Sequence, residues 1–344
     1  MGGAPADNGF PIRFYSLHPT RDVVLETPDL RLGSVGRAAS WFAYPGGKAL
    51  NAARTAGLLG AQVEMTALAP SAWSANLKEF LGKCGVAFRH VISPGEGRVC
   101  VMLNERGRET VINTDLSMNL TRDVFQALAH AVLRDSRRRG FVVFSGSPPP
   151  SLSVSRYRSL LRIASSGAAD LVLDQTGRWL KAGMSFSPWL IKPNLAEFHS
   201  FIGRRTRSWD DVLRTVDSVR SAGVKRVLLS LGEKGCLLVS PAGRWFTPPV
   251  KIASPESGRR QRSPASAGLQ VGGPAAFAAG LSPLGSGDAL LGGFLQAVAS
   301  GENEGAALRW GVAAATANLF HRGACFMSAA EIRGFLPRVR IRVV

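Results

Sequence analysis

The segment LSPLGSGDALLGGFL, Leu281–Leu295, holds the sharpest chemistry in the chain. Gly285 and Gly287 flank Ser286, and Asp288 follows at the opening of an apolar, helix-competent run. Glycines let backbone amides approach an anion closely, and a helix N-terminus adds partial positive charge. A carboxylate beside such an anion hole can take a proton from a hydroxyl while the amides hold a transferring phosphoryl group. The same spelling also fits a helix-capping aspartate after a tight turn. In LIKPNLAEF, Leu190–Phe198, a strand ends at Pro193, and Asn194 and Glu197 fall three residues apart on one face of a starting helix. That pair can hold Mg²⁺ through its waters, or it can close a capping box. In YPGGKALNAARTAGLLG, Tyr44–Gly60, Gly46 and Gly47 offer backbone amides, Lys48 a charge and Asn51 an amide one turn on. The P-loop pattern GxxxxGK[ST] is absent from the chain. SLGEKGCLLV, Ser230–Val239, could wrap nucleotide phosphates or be an ordinary hairpin. FSGSPPPSL, Phe144–Leu152, leaves a strand end with Ser145 and Ser147 expected to be exposed, where open parallel sheets bind ligands.

These segments need elements to position them. Strand-like runs at Val63–Leu68, Phe141–Phe144, Leu171–Leu173, Trp189–Ile191 and Val227–Ser230 alternate with helical patterns at Ala49–Leu59, Ala75–Cys84, Arg122–Arg134, Ser153–Ala164 and Trp209–Ala222. Such alternation with apolar strands predicts a mainly parallel sheet covered by helices on both faces. Two alanine-rich helices follow at Ala289–Ala299 and Gly305–Phe320. Residues 14–43 and 96–113 alternate like exposed antiparallel strands, with a hairpin turn around Gly107, and predict a small separate sheet. Residues 253–282, rich in Ser, Pro, Gly, Ala and Arg, read as a long inserted, flexible loop, and residues 1–10 as a disordered tail. The remainder, 11–344, reads as one domain.

The chain of 344 residues carries 42 Lys and Arg against 24 Asp and Glu, a net charge of +18. Short scattered arginine clusters with no helix-turn-helix, zinc-finger or RNP pattern beside them read as solvated surface, so no specific nucleic acid is expected as a partner. No apolar run is long enough to span a membrane, and the N-terminus lacks a signal-peptide pattern. The four cysteines stand far apart without CxxC pairing, which suits a reducing, cytoplasmic compartment.

Taken in this order, the motifs resemble the ribokinase (PfkB) family of sugar kinases, over residues from about Tyr15 to Phe320. YPGGKALNAARTAGLLG and SPLGSGDALLGGF are similar to its two signatures, and SGSPPPSL, DQTGRWL, IKPNLAEF and SLGEKGCLLV to blocks between them. HPTRD, His18–Asp22, and GEGR, Gly95–Arg98, resemble runs of its hexose-phosphate branch, the 1-phosphofructokinase and tagatose-6-phosphate kinase types. The resemblance implies a three-layer α/β/α sandwich with a small β-sheet lid. It implies an ATP- and Mg²⁺-dependent kinase of a phosphorylated ketohexose, fructose 1-phosphate first. In that reading Asp22, Gly46, Gly47 and Asn51 bind sugar hydroxyls, and Arg98, Lys48 and Ser147 the phosphate already on the sugar. Lys192, Asn194, Ser230, Gly232 and Gly235 serve the nucleotide, and Asn194 and Glu197 the Mg²⁺. Gly285, Ser286 and Gly287 form the anion hole, with Asp288 as base. A homodimer through the lid sheet is expected. The chain departs from the pattern in the long insertion between Pro249 and Gly285, in the glycine-free run Ala69–Leu77 and in His18, where Asn is usual. A kinase of a free sugar or nucleoside, or a non-catalytic sugar-phosphate- or nucleic-acid-binding relative, stays as an alternative.

Overall fold

A computed structural model describes residues 10–31, 33–105, 108–114, 118–252 and 281–344. The expected tail, apart from residue 10, and the insertion, apart from residues 281–282, lie outside the described residues, as does the turn around Gly107.

The ten-stranded main sheet is built on β1 (Ile12–Ser16), flanked by β4 (Val63–Ala69) and β8 (Gly140–Ser145), both parallel to it. Beyond β4 lies β5 (Val86–Ile92); beyond β8 come β9 (Ala169–Asp174), β10 (Leu190–Ile191) and β11 (Val227–Ser230), all parallel. The sheet ends in three antiparallel strands, β12 (Cys236–Ser240), β13 (Gly243–Thr247) and β14 (Arg342–Val343).

Central strands are apolar at consecutive positions because both of their faces are covered. Ile12, Phe14, Phe141, Val143, Val172, Leu190 and Leu228 join a core with α1 (Lys48–Leu58), α2 (Ser74–Gly82), α8 (Ser286–Ala299), α9 (Glu304–Asn318) and α10 (Ala329–Phe335). Their neighbours Tyr15, Val142, Phe144, Leu171, Leu173, Ile191 and Leu229 point the other way. They meet α3 (Arg122–Ser136), α4 (Val154–Ser165), α5 (Gly177–Gly183), α6 (Leu195–Ile202) and α7 (Trp209–Ser221). The result is the expected three-layer α/β/α sandwich.

The small sheet has the order β3 (Ser40–Gly46), β2 (Thr20–Glu26), β6 (Arg98–Glu105), β7 (Arg108–Asn113). β2 pairs antiparallel with β3 but parallel with β6, so the sheet is mixed. It begins at Thr20 and not near residue 14. Residues 12–16 are buried throughout and belong to the centre of the main sheet, and alternation of buried and exposed positions starts only in β2. Val24, Tyr44, Cys100 and Met102 on its inner face pack with Phe42, Phe80, Leu284 and Phe326. The Arg54 guanidinium lies 4.3 Å from the Phe80 ring centroid and 4.5 Å from that of Phe326, which ties α1 to the same cluster.

Candidate active site

The C-terminal ends of β8, β9, β10 and β11 bring Ser145, Asp174, Lys192 and Ser230 to one edge of the main sheet, where an open parallel sheet binds ligands. Asp174 and Lys192, both almost wholly buried, form an ion pair at 3.1 Å, and Ser145 Oγ donates to Asp174 Oδ2 at 2.7 Å. Burial alone would raise the Asp174 carboxyl, but Lys192 and Lys48 outweigh it and hold the group below its usual range. Lys48, the first residue of α1, reaches Glu197 Oε1 at 3.3 Å. Asp174 above all, then Glu197 and Asp288, raises its ammonium against the effect of burial.

Asp288 stands in the first turn of α8, 7 % exposed, and accepts a hydrogen bond from Asn51 Nδ2 at 2.9 Å. Burial, helped by the charge of Asp174, pushes its carboxyl up to about 7 against the pull of Lys48, Lys192 and Asn51. A carboxyl poised there is charged or neutral according to small changes near neutral pH, the range in which a side chain can move protons at physiological pH. Gly285 caps α8 in the left-handed conformation (φ 77°), and a Cβ there would lie 2.4 Å from Ala324 Cβ, so glycine meets both a dihedral and a space requirement. The position a Cβ would take on Gly287 is 3.3 Å from Lys192 Nζ. The helix N-terminus and a buried ammonium therefore converge where an anion would sit.

A second group gathers under the lid. Asp22 on β2, 5 % exposed, accepts a hydrogen bond from Thr20 Oγ1, and Gly46 on β3 lies against its carboxylate. Burial raises the Asp22 carboxyl to about 6, although Thr20, Arg98 and Tyr44 favour its charged form. Arg98, on β6 and paired in register with Thr20, donates through Nη2 to Asn113 Oδ1 at 2.5 Å. Gly47 caps α1 and links this group to Lys48 and Asn51.

Asn194 and Glu197 form the capping box of α6: Glu197 N donates to Asn194 Oδ1 at 2.8 Å and Asn194 N donates to Glu197 Oε2 at 2.9 Å. The capping-box reading of this motif is thus the one observed, and Glu197 Oε1 also faces Lys48. No group of three or more His, Cys, Asp or Glu able to cage a metal exists among the described residues. One carboxylate and one amide fit Mg²⁺ in the mode in which it keeps several waters and shares phosphate oxygens. Ser230 bridges to Asn194 beside this box, and Gly232 and Gly235 bracket the short 3₁₀ turn that follows.

One sequence reading needs correction: Ser145 is buried and bonded to Asp174, and only Ser147 is exposed. Lys48 faces Asp174, Glu197 and Asp288, and Arg98 faces Asp22. Asp174 was not singled out, although a lone carboxylate closing the apolar run LVLD at the end of a parallel strand is a readable signal.

The pfkB family carbohydrate kinase signature matches residues 18–255. The chain belongs to the pfkB family of carbohydrate kinases. It is therefore a phosphotransferase acting on an alcohol group. The 1-phosphofructokinase of Escherichia coli (strain K12) is 25 % identical over 237 residues, 69 % of this chain and 76 % of that protein. That of Borreliella burgdorferi is 21 % identical over 329 residues, 95 % of this chain and 96 % of the other. Among solved structures, Escherichia coli phosphofructokinase-2 in complex with substrates and products superposes with a TM-score of 0.82 at 23 % identity, over 95 % of this chain and 98 % of that one. A ribokinase from Thermotoga maritima gives 0.69 at 18 %, over 95 % and 99 %. These two likenesses show the ribokinase-like fold.

Proposed function

We propose that this kinase transfers the γ-phosphoryl group of ATP to a hydroxyl of a ketohexose phosphate, fructose 1-phosphate first among them. The observation that carries the reading is Asp288: a buried carboxylate beside a helix N-terminus, held by Asn51, with Lys48 and Lys192 close by. In the reaction Asp288 accepts the proton of the attacking hydroxyl as the new O–P bond forms and the bond to ADP breaks. The amides of Gly285 and Gly287, with Lys192, receive the charge of the transferring group, while the Ser286 N–H holds the turn through the Pro283 carbonyl, so positioning and electrostatics supply most of the acceleration. Asn194 and Glu197 would hold Mg²⁺ at the phosphates, where the ion neutralises charge when bound. Ser230, Gly232 and Gly235 lie along the nucleotide.

Asp22, Gly46, Gly47 and Asn51 take the sugar hydroxyls. Arg98, helped by Ser147, takes the existing phosphate, because guanidinium matches phosphate in a two-pronged geometry. Lys48, paired with Glu197, serves the transferring phosphoryl group instead. The lid excludes water and so limits idle ATP hydrolysis. A free-sugar substrate is disfavoured because it leaves Arg98 without a phosphate, and the relatives named 1-phosphofructokinase point the same way.

The outer face of the lid presents Val23, Leu25, Trp41, Ala43, Val99 and Ile112, with Trp41 62 % and Ile112 51 % exposed. An apolar sheet face of this kind marks an interaction surface. We assign it to a second copy of the chain, since the Escherichia coli phosphofructokinase-2 structures include a tetrameric form. Sedimentation equilibrium should return twice the 36.6 kDa of the chain; a monomer at micromolar concentration contradicts this. No helix among the described residues is long and apolar enough to cross a membrane.

The test is ADP release with Mg-ATP against fructose 1-phosphate, fructose 6-phosphate, tagatose 6-phosphate, fructose, ribose and adenosine. Turnover on a phosphorylated ketose supports the reading. Turnover confined to a free sugar or nucleoside overturns it.

A further inference from the structure

The anion-hole turn does not stand alone. Asn318, at the C-terminal end of α9 and fully buried, spends its whole side chain on it. Its Nδ2 donates to the Leu284 carbonyl at 2.7 Å and to Ser286 Oγ at 3.0 Å. Its Oδ1 accepts from Cys325 N at 2.7 Å. Cys325 is held in the left-handed region (φ 60°), unusual for a residue with a side chain, and its thiol faces the Gly285 carbonyl at 3.6 Å. Ala324, the residue just before it, is the one against which Gly285 packs without room for a Cβ. Ala324 is itself fixed from the lid side: its N–H donates to Tyr44 Oη at 3.0 Å and its carbonyl accepts from Arg54 at 3.2 Å. Three chain segments, 284–286, 318 and 324–325, are therefore stitched together by one amide, with Asp288 two residues past the stitched turn.

We propose that Asn318 is a positioning residue for phosphoryl transfer: it sets the backbone of Leu284–Ser286, and through it the amides of the anion hole, without touching substrate. An amide is the side chain for this place because it donates twice and accepts once in one plane. A hydroxyl supplies one donor, and a carboxylate cannot donate to the Leu284 carbonyl. A burial role alone would not need this set of partners. The proposal rests on the kinase reading of the Asp288 site, and its test carries a readout independent of turnover.

Asn318→Ala removes all three bonds. Catalytic geometry is sensitive to displacements near 1 Å, and loss of one anion-hole donor costs at least 100-fold, so kcat should fall by about 10- to 100-fold. KM for the sugar phosphate should stay within about threefold, because Asp22, Asn51 and Arg98 are not touched. Thr316→Ala, which removes a buried hydroxyl bonded to Val312 O on the same helix, is the control. It should lower the melting temperature and leave kcat unchanged, whereas a structural role for Asn318 would make both variants alike, with kcat per folded enzyme near wild type.

The independent readout is amide hydrogen exchange in the peptide holding Ser286 and Asp288, whose N–H groups donate to Pro283 and Gly285 carbonyls. Asn318→Ala should speed exchange there and leave β8 and β9 as protected as before. If wild type turns over no substrate yet this peptide loosens, the kinase reading fails and the positioning claim stands as a statement about the turn. Unchanged exchange, or a kcat within twofold of wild type, overturns the proposal.

Discussion

Gly46→Ala tests whether the strand end entering α1 exists to seat Asp22. A Cβ on Gly46 would stand 2.0 Å from Asp22 Oδ2 and 2.2 Å from its Cγ. Ordinary contacts begin near 3.4 Å, and nothing in the Gly46 backbone otherwise excludes alanine, since its φ is not positive. The carboxylate must therefore retreat by about 1.4 Å, far up the repulsive wall. Retreat draws Asp22 away from its bond with Thr20 and from the space where sugar hydroxyls are proposed to bind. A misplacement near 1 Å costs about 100-fold, or about 2.7 kcal/mol. Steady-state ADP release should show kcat/KM for the sugar phosphate lower by about that factor in Gly46→Ala. Asp22→Ala should fall at least as far. The double variant should fall no further than Asp22→Ala, because alanine at 22 leaves the new Cβ unopposed. Independent, multiplying losses in the double variant would refute the reasoning.

Other outcomes follow from the same groups. The proposed base, Asp288, can accept a proton only when ionised, so with its carboxyl near 7 the value of kcat/KM should drop about tenfold per unit below pH 7 and level off above it; a profile flat from pH 5 to 8 contradicts this. Asp22 has a folded pKa, about 6, above its unfolded value, so its contribution to stability is fully present below about 4 and lost as pH rises through 6. Urea unfolding at pH 8 should accordingly show Asp22→Asn more stable by up to about 3 kcal/mol, with the gain shrinking towards pH 4 and activity lost throughout. Equal stability at pH 8 would count against a buried charge there. Asp174→Ala leaves Lys192 charged and buried without its partner, and should cost about 3–5 kcal/mol in the same assay; a loss below 1 kcal/mol would mean the pair is not what holds the lysine.

How much of this was legible in the sequence depended on whether a signal was local. The strands Val63–Leu68 and Val227–Ser230 were readable because strands buried on both faces are continuous apolar runs. The glycines around Ser286 and the NxxE of α6 were readable because caps and turns are written over four residues. The start of the small sheet was misplaced because residues 12–26 pass from the main sheet to the lid with little to mark the change, and only alternation from Thr20 onward separates them. Asp174 and Asn318 were missed for a different reason. Only the fold brings their partners to them, Lys192 after the neighbouring strand for one, and for the other Ser286, 32 residues away, with Cys325 in the turn beyond α9, and no spacing rule predicts such pairings. For Lys48 the sequence carries the charge but not the carboxylates that surround it, since Asp174, Glu197 and Asp288 reach it only through the fold.

The measurement that bears most directly on the account is single-turnover phosphoryl transfer by Asp288→Asn, with nucleotide affinity and melting temperature measured on the same protein. Transfer should be slower by at least about 1,000-fold, with ADP still bound and the fold intact, because the variant keeps the shape and the Asn51 contact but has no base. Transfer within tenfold of wild type would contradict the central claim that this carboxylate removes the proton.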